Sequence, residues 1–376
     1  MQILRCARGS RTMRERITMK DLARMAGTSL STVSRSLNDN RAISQETRER
    51  IKTLARQYGF DFNMSARSLA TRRNSTVGLI FPESLDNPDN FSFAGMLLRN
   101  VRAILEEAEL DTLISFSRNA HSGESNTRRL LRQGKVDGLL MIQPQFEPAD
   151  LEAVRAAEVP FVLLHFLPLG MRLDSVNYVY VDHVQGGRLA TGHLLDAGAR
   201  RILCITERER QFVERTEGYR RAHRERELPV YEHLIHSCDA SFDAGYQSVM
   251  ENRGTLSKID GIFAQADITA FGVLAALREL GVRVPQDLLL VGYDDIRMAG
   301  LTHPALTTVH QPQEELVRSA CRRLVDILGG ADPDPPLQRL LEPWLVYRTT
   351  APAARGAHTG THTGDGAPSA DRDDFH

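Results

Sequence analysis

The chain has 376 residues, 41% of them hydrophobic and 25% charged, with a formal net charge of -1. That length exceeds one average domain, and the composition is that of a globular protein with apolar residues enough for a core. No apolar run approaches the ~20 residues of a membrane helix, the first residues hold no apolar stretch of the kind a secretory signal carries, and the four cysteines form no CxxC pair, which argues against a disulfide framework or zinc ribbon and for a reducing cytoplasm.

The near-zero charge hides an asymmetry. Residues 1–75 carry 16 Lys and Arg against 6 Asp and Glu, a net of +10, and the remainder carries 31 against 42, a net of -11. A basic head on an acidic body suggests a head that meets a polyanion.

In chain order, residues 1–17 are Arg-rich and aperiodic and read as a disordered extension. Residues 18–61 read as three short helices. Thr18-x-x-Asp21 is a capping-box pattern, Leu22, Met25 and Ala26 follow on one face, and Gly27 ends the helix. Ser29 can cap a second helix from Leu30 to Leu37, with Val33 and Leu37 inward. Ser44 caps a third, whose apolar stripe is Ile51, Leu54, Ala55 and Tyr58. Residues 62–75 form a linker too short to hold a helix alone.

From Thr76 the texture changes. Strand-length apolar runs (Val77–Phe81, Gly138–Ile142, Phe161–Leu164, Arg201–Ile205, Gly261–Ala264, Leu288–Tyr293) alternate with helical segments near Phe93–Glu107, Ser125–Gln133, Leu151–Ala157, Val184–Ala197, Thr216–Glu227, Asp243–Glu251, Ile268–Leu280 and Glu314–Gly329. Such alternation implies α/β architecture with doubly wound parallel sheets. The number of βα units predicts two lobes with a cleft at the strand C-termini. Residues 351–376 are aperiodic and expected to be disordered; their three histidines fit no closed metal site.

A helix–Gly turn–helix inside a basic segment is the shape of a helix-turn-helix DNA reader, whose second helix enters the major groove. Its leading side chains are Leu30, Ser31 and Thr32, with Arg35 one turn later. Arg35 can donate two hydrogen bonds to guanine O6 and N7. Hydroxyls of Ser29, Thr32 and Ser34 suit phosphates, and Thr18 and Asn38 are taken with them as DNA-facing.

The run MKDLARMAGTSLSTVSRSLNDNRAISQETRERIKTLARQYGF, continued by ARSL, RLATGHLLDAG, RTEGY, VLAALRELGVRVPQD, VGYDDI and PALTTVHQP, resembles the lactose-repressor/galactose-repressor family of bacterial transcription regulators over about residues 18–350. The resemblance implies an all-α head and hinge followed by a two-lobed, periplasmic-binding-protein-like core over 76–350. Lobe one is expected at about 76–178 and 312–338, lobe two at about 179–310 and 339–350. It further implies a homodimer on double-stranded operator DNA. The hinge leucine, here Leu69, would wedge into the minor groove beside Arg67.

By the same resemblance Arg215, at the start of a helix, and Asp294, at a strand end, bind effector. His165 and Asp182 follow strands at the cleft; Asp182 is open between shaping the cleft and capping a turn. Phe91 or Phe93 could stack on a sugar face, and Phe242 is the ring nearest a position where members often carry one. Ala266-Asp267 stands where many members carry Asn-Asp, and residues 82–93 look longer than the usual loop. These departures favour a larger ligand, such as an oligosaccharide or glycoside. The expected function is a repressor of carbohydrate uptake or catabolism genes, with no catalytic residues, no cofactor and no metal. A purine or phosphoprotein effector and a sugar-transport protein stay open as alternatives. An enzyme on this fold lacks support, since no GxGxxG, P-loop, GxSxG or HExxH motif is present.

Overall fold

A computed structural model describes residues 17–37, 40–58, 60, 73–83, 91–143, 147–168, 171–332 and 334–353, with the side chains of 91–94 left aside. Two compact units divide at Asn74 and Ser75.

In the first unit, α1 (Met19–Met25), α2 (Leu30–Leu37) and α3 (Gln45–Gln57) enclose a small core of Leu22, Ala23, Ala26, Val33, Ile51 and Ala55. Local chemistry sets the helix ends. Thr18 Oγ1 accepts the Asp21 N–H at 3.3 Å while Asp21 Oδ2 accepts the Thr18 N–H at 3.0 Å, a reciprocal cap. Gly27 turns the chain at φ +60°, where a Cβ is disfavoured. Ser29 Oγ accepts the Thr32 N–H at 3.1 Å and Ser44 Oγ accepts the Thr47 N–H at 3.4 Å. An Arg50 N–H to the Ala26 carbonyl, at 2.9 Å, ties α3 to the end of α1. Two expected core residues point outward: Met25 is 39% exposed and Tyr58 46%. Periodicity identifies a face, and this three-helix core is too narrow to cover all of it.

The second unit holds two six-stranded sheets. The first has the order β11-β5-β4-β3-β1-β2, built from β1 (Thr76–Phe81), β2 (Asp111–Phe116), β3 (Gly138–Met141), β4 (Phe161–Leu164), β5 (Tyr178–Val181) and β11 (Gln338–Leu341). The second has the order β12-β10-β9-β8-β6-β7, from β6 (Ile202–Thr206), β7 (Ile235–Ser237), β8 (Gly261–Ala264), β9 (Leu289–Asp294), β10 (Thr307–His310) and β12 (Trp344–Val346). All pairings are parallel except β10 with β12. Helices cover both faces: α4 (Phe91–Glu107), α5 (Asn126–Arg132), α6 (Pro148–Ala156) and α11 (Gln313–Leu328) in lobe one; α7 (His183–Asp196), α8 (Arg210–Arg224), α9 (Phe242–Glu251) and α10 (Asp267–Glu279) in lobe two. Each sheet therefore separates two apolar clusters, which is why its strands are apolar on both sides.

The chain crosses between lobes three times: after β5, between β10 and α11, and between β11 and β12. The expected lobe boundaries at 178/179 and 338/339 cut through β5 and β11, which pair with each other in sheet one from Gln338–Tyr178 to Leu341–Val181. The boundaries move to the ends of those strands.

Glycines bring α7 and α8 together. A Cβ at Gly187 would stand 2.0 Å from the Arg215 carbonyl oxygen, and one at Gly218 would stand 2.1 Å from the Val184 carbonyl oxygen. Both obstacles are backbone and cannot swing aside. Gly218→Ala is expected to destabilise the core by about 3 kcal/mol through overpacking, read as a lower urea midpoint at unchanged m-value.

Candidate nucleic-acid interface and effector site

In the head, α2 carries its sequence-selected side chains on the open side. Leu30 is 45% exposed. Ser29, Ser31 and Arg35 are exposed, and Thr32 and Ser34 are half-buried. Val33 and Ser36, on the opposite face, are buried. The Ser29, Ser31 and Thr32 hydroxyls join one another at 2.8 and 2.9 Å, so the helix start presents a linked hydroxyl cluster. The Thr18 hydroxyl is exposed but engaged in its cap. Asn38, Arg67 and Leu69 lie outside the described residues.

In the second unit, strand C-termini bring residues distant in sequence to one place. Asp294 ends β9 at φ +112°. His165 follows β4 at φ +70° and is buried. Arg215 lies in the second turn of α8, because that helix begins at Arg210 rather than at Thr216; the expectation that it opens a helix is corrected. Its guanidinium is 3% exposed and faces Asp294 Oδ1 at 3.8 Å. It lies over the Tyr293 ring at 3.7 Å and near Phe212 at 4.7 Å. Its Nη1 donates to the Gln265 carbonyl and its Nε to His183 Nδ1 at 3.3 Å.

Asp182 is the N-cap of α7, accepting the Gln185 N–H at 2.8 Å. The cap places His183 on the helix's first turn, against Arg215. Phe91 and Phe93 fall in the first turn of α4, where side chains are not described. Phe242 opens α9, 37% exposed, and the hydrogen bonds of the Arg215 cluster do not include it.

Burial sets the protonation of this cluster. It pushes Asp294 up to about 6, against the pull of Arg215 and the Gln311 hydrogen bond. It raises Asp267 well above the carboxylate range, with Asp294 adding repulsion. It drives His165 down to about 3, helped by Arg215, and takes His183 well below its ordinary value. Glu207, at the end of β6, rises to about 7 through burial and then the nearby Glu209 and Asp239 charges. Arg215 thus stands as a buried cation among imidazoles held neutral and carboxyls pushed upward by burial.

Several members of the site carry no motif of their own. Asp267 is fully buried, accepting the Ile296 N–H at 2.9 Å and the Thr308 hydroxyl at 2.6 Å; the Ala266 before it offers no side-chain cap to α10. Gln311, at the second lobe crossing, donates to Asp294 Oδ1 at 2.7 Å. Gln265 links Thr206, Thr216 and Cys204 beneath Arg215. Buried polar atoms left without a protein partner include Gln143 Oε1, Gln211 Oε1, Gln311 Oε1 and His183 Nε2. His183 and Gln311 stand at lobe crossings, Gln143 follows β3 and Gln211 lies in the first turn of α8. Buried polar atoms are normally hydrogen-bonded, so the cluster has spare capacity for a hydroxyl-rich ligand. Among the described residues no group of His, Cys, Asp and Glu could hold a metal.

Tyr180 of lobe one donates to Glu214 of α8 at 2.8 Å, and Arg210 donates to both Glu214, at 2.8 Å, and the Pro168 carbonyl, at 3.3 Å. The Tyr180–Glu214 and Arg210–Pro168 bonds span the lobes, and the Arg210–Glu214 pair within α8 joins the two.

Comparison with known proteins agrees with both units. Residues 18–63 match the family model for bacterial regulatory proteins of the lacI family, and residues 191–351 match a periplasmic binding protein-like domain. The HTH-type transcriptional regulator CelR of Thermobifida fusca is 34% identical over 340 residues, 89% of this chain and 98% of that protein. A solved CelR–cellobiose complex aligns with a TM-score of 0.66 at 31% identity, over 89% of this chain and 100% of that one. A lac repressor dimer bound to operator and an anti-inducer aligns with a TM-score of 0.74 at 23% identity, over 90% of this chain and 100% of that one, and speaks for the fold. The helix-turn-helix head, the two-lobed parallel core and this similarity along nearly the whole chain place the protein in the lacI family of DNA-binding transcriptional regulators.

Proposed function

We propose that this regulator is a homodimeric repressor of carbohydrate uptake or catabolism genes. Its effector is a gluco-disaccharide of the cellobiose class, bound where the two lobes meet. The observation that carries the reading is the buried cluster of Arg215, Asp294, His183 and Gln311 with its unpaired polar atoms. A planar guanidinium, a carboxylate and amide oxygens give fixed donors and acceptors for hydroxyls. The similarity to CelR, solved with cellobiose, supports the class of sugar. The lac repressor structure, a dimer on operator, supports two heads on two half-sites, with Arg67 and Leu69 at the operator centre. His165, and the aromatic rings of Phe91, Phe93 and Phe242, belong to the same proposal as contacts to the sugar, and Asp182 belongs to it through the cap that seats His183. Effector acts by binding one lobe arrangement better than the other.

Calorimetry at pH 7.5 is expected to show saturable cellobiose binding, and cellobiose is expected to release a labelled operator in fluorescence anisotropy. Asp294 accepts hydroxyl protons best as the carboxylate. Its value near 6 therefore predicts an affinity steady above that pH and falling by up to about tenfold per unit below it. Binding of ribose alone would reject the disaccharide class. Operator release without any saccharide binding would reject the site.

A further inference from the structure

We propose that His183 is the positioning residue for Arg215: its unprotonated Nδ1 anchors the guanidinium and thereby sets effector affinity. This rests on the effector reading above. Arg215 has five N–H donors in a rigid plane. One goes to the Gln265 carbonyl, another faces Asp294, and the Nε–H goes to His183 at 3.3 Å. The plane lies on the Tyr293 ring at 3.7 Å, and the Tyr293 hydroxyl reaches the same Nδ1 at 2.9 Å. Tyr293 and His183 therefore grip the guanidinium together, one beneath its face and one at its edge. The Nε–H bond adds a third in-plane anchor to those at the Gln265 carbonyl and Asp294, and it shares the Nδ1 lone pair with the Tyr293 hydroxyl.

An Nε–H is an obligate donor, so Nδ1 holds a lone pair and the ring proton sits on Nε2. The surroundings keep it there. Burial first, and then the Arg215 charge, oppose a positive charge on the ring; the His165 and Tyr180 rings close its sides, with centroids 6.4 and 4.9 Å away. Asp182 is turned to the helix N–H groups as the cap and does not pair with the imidazole. The distance from His183 to Arg215 is set by the backbone contact of α7 and α8 at Gly187 and Gly218, which leaves the bond little slack.

The test uses full-length His183→Asn and His183→Phe. Asn keeps an acceptor where Nδ1 stands; Phe keeps the ring and removes the acceptor. With cellobiose in calorimetry, His183→Phe is expected to bind about 10- to 100-fold more weakly, and His183→Asn within about threefold of the parent. Both should bind operator without cellobiose as the parent does, which also reports that they fold. A His183→Phe as tight as the parent, or a His183→Asn as weak as His183→Phe, overturns the proposal. In the parent, ¹⁵N NMR of labelled histidine should show His183 neutral from pH 5 to 8 with its proton on Nε2; a proton on Nδ1, or titration in that range, overturns it independently of any ligand. Absence of cellobiose binding by the parent itself rejects the sugar class instead, and the NMR result then decides for or against His183.

Discussion

Arg215→Ala is expected to abolish the effector response while leaving effector-free operator binding at the parental level. The loss in cellobiose affinity should exceed about 100-fold, because the side chain supplies charge-assisted donors in a buried setting, where each is worth about 1.5–3 kcal/mol. The electrostatics reinforce the loss. Arg215 is the cation that pulls Asp294 down against its burial. Without it the carboxyl moves above about 6 and protonates near neutrality, so a second ligand acceptor weakens with the first. Arg215→Lys separates charge from shape. It restores a cation but not the fork, nor the stacking on Tyr293, and should recover only a small part of the response. The measurement is cellobiose-driven release of a fluorescent operator, with the effector-free affinity as the control. Release of Arg215→Ala at the parental cellobiose concentration would exclude Arg215 from the site.

Arg35→Ala is expected to cost about 1–3 kcal/mol per operator half, the discrimination of one bidentate guanine contact. In the proposed homodimer, with two heads on one operator, the effect doubles. Arg35 is exposed on the same side of α2 as Leu30 and Ser31, while Val33 and Ser36 are buried in the head. That geometry makes a base contact available to it without disturbing the core, so the variant should fold as the parent does. The comparison that decides the role is operator against random DNA in anisotropy. A base-reading Arg35 loses affinity for operator far more than for random sequence. Equal loss on both, with the salt dependence reduced by about one phosphate contact, would make it a backbone contact only.

The head was legible because its determinants are local. Thr18 with Asp21, Gly27, Ser29 and Ser44 act within a turn of themselves, and each does so in the structure. Met25 and Tyr58 lie on the apolar faces yet are exposed, because periodicity marks a direction, while the width of the buried face depends on how closely three helices meet. In the core, the apolar strands β1, β3, β4, β6, β8 and β9 stood out as runs buried on both sides. The edge strand β2 did not, since its side chains are mostly open; β10 (TTVH) and β11 (QRLL) are half polar and β12 has three residues. β11 is a strand only because it meets β5 across some 160 residues of chain, and that pairing is what moves the lobe boundaries.

The site divides the same way. Arg215 and Asp294 are candidates through the family resemblance and His165 through its place after a strand, and the structure sets Arg215 in the second turn of α8 rather than at its start. His183, Gln265, Asp267, Tyr293 and Gln311 are not among the candidates, although Tyr293 and Gln311 lie inside VGYDDI and PALTTVHQP and Asp267 follows Ala266: which side chains gather at Arg215 and Asp294 depends on packing between strands far apart in the chain. Asp182, read as open between two roles, caps α7. By itself the sequence determined the class of protein: a basic head with locally encoded helix caps, an acidic body of alternating strands and helices, and the motifs that tie both to one family of regulators. Only the tertiary structure decided which side chains share the cleft and in which protonation state. The physical reason is that hydrogen bonding and burial act through space. The fold of lobe two brings His183, Arg215, Gln265, Asp294 and Gln311 within bonding distance, with His165 of lobe one beside His183, and burial there shifts Asp294, His165 and His183 in ways no local pattern records.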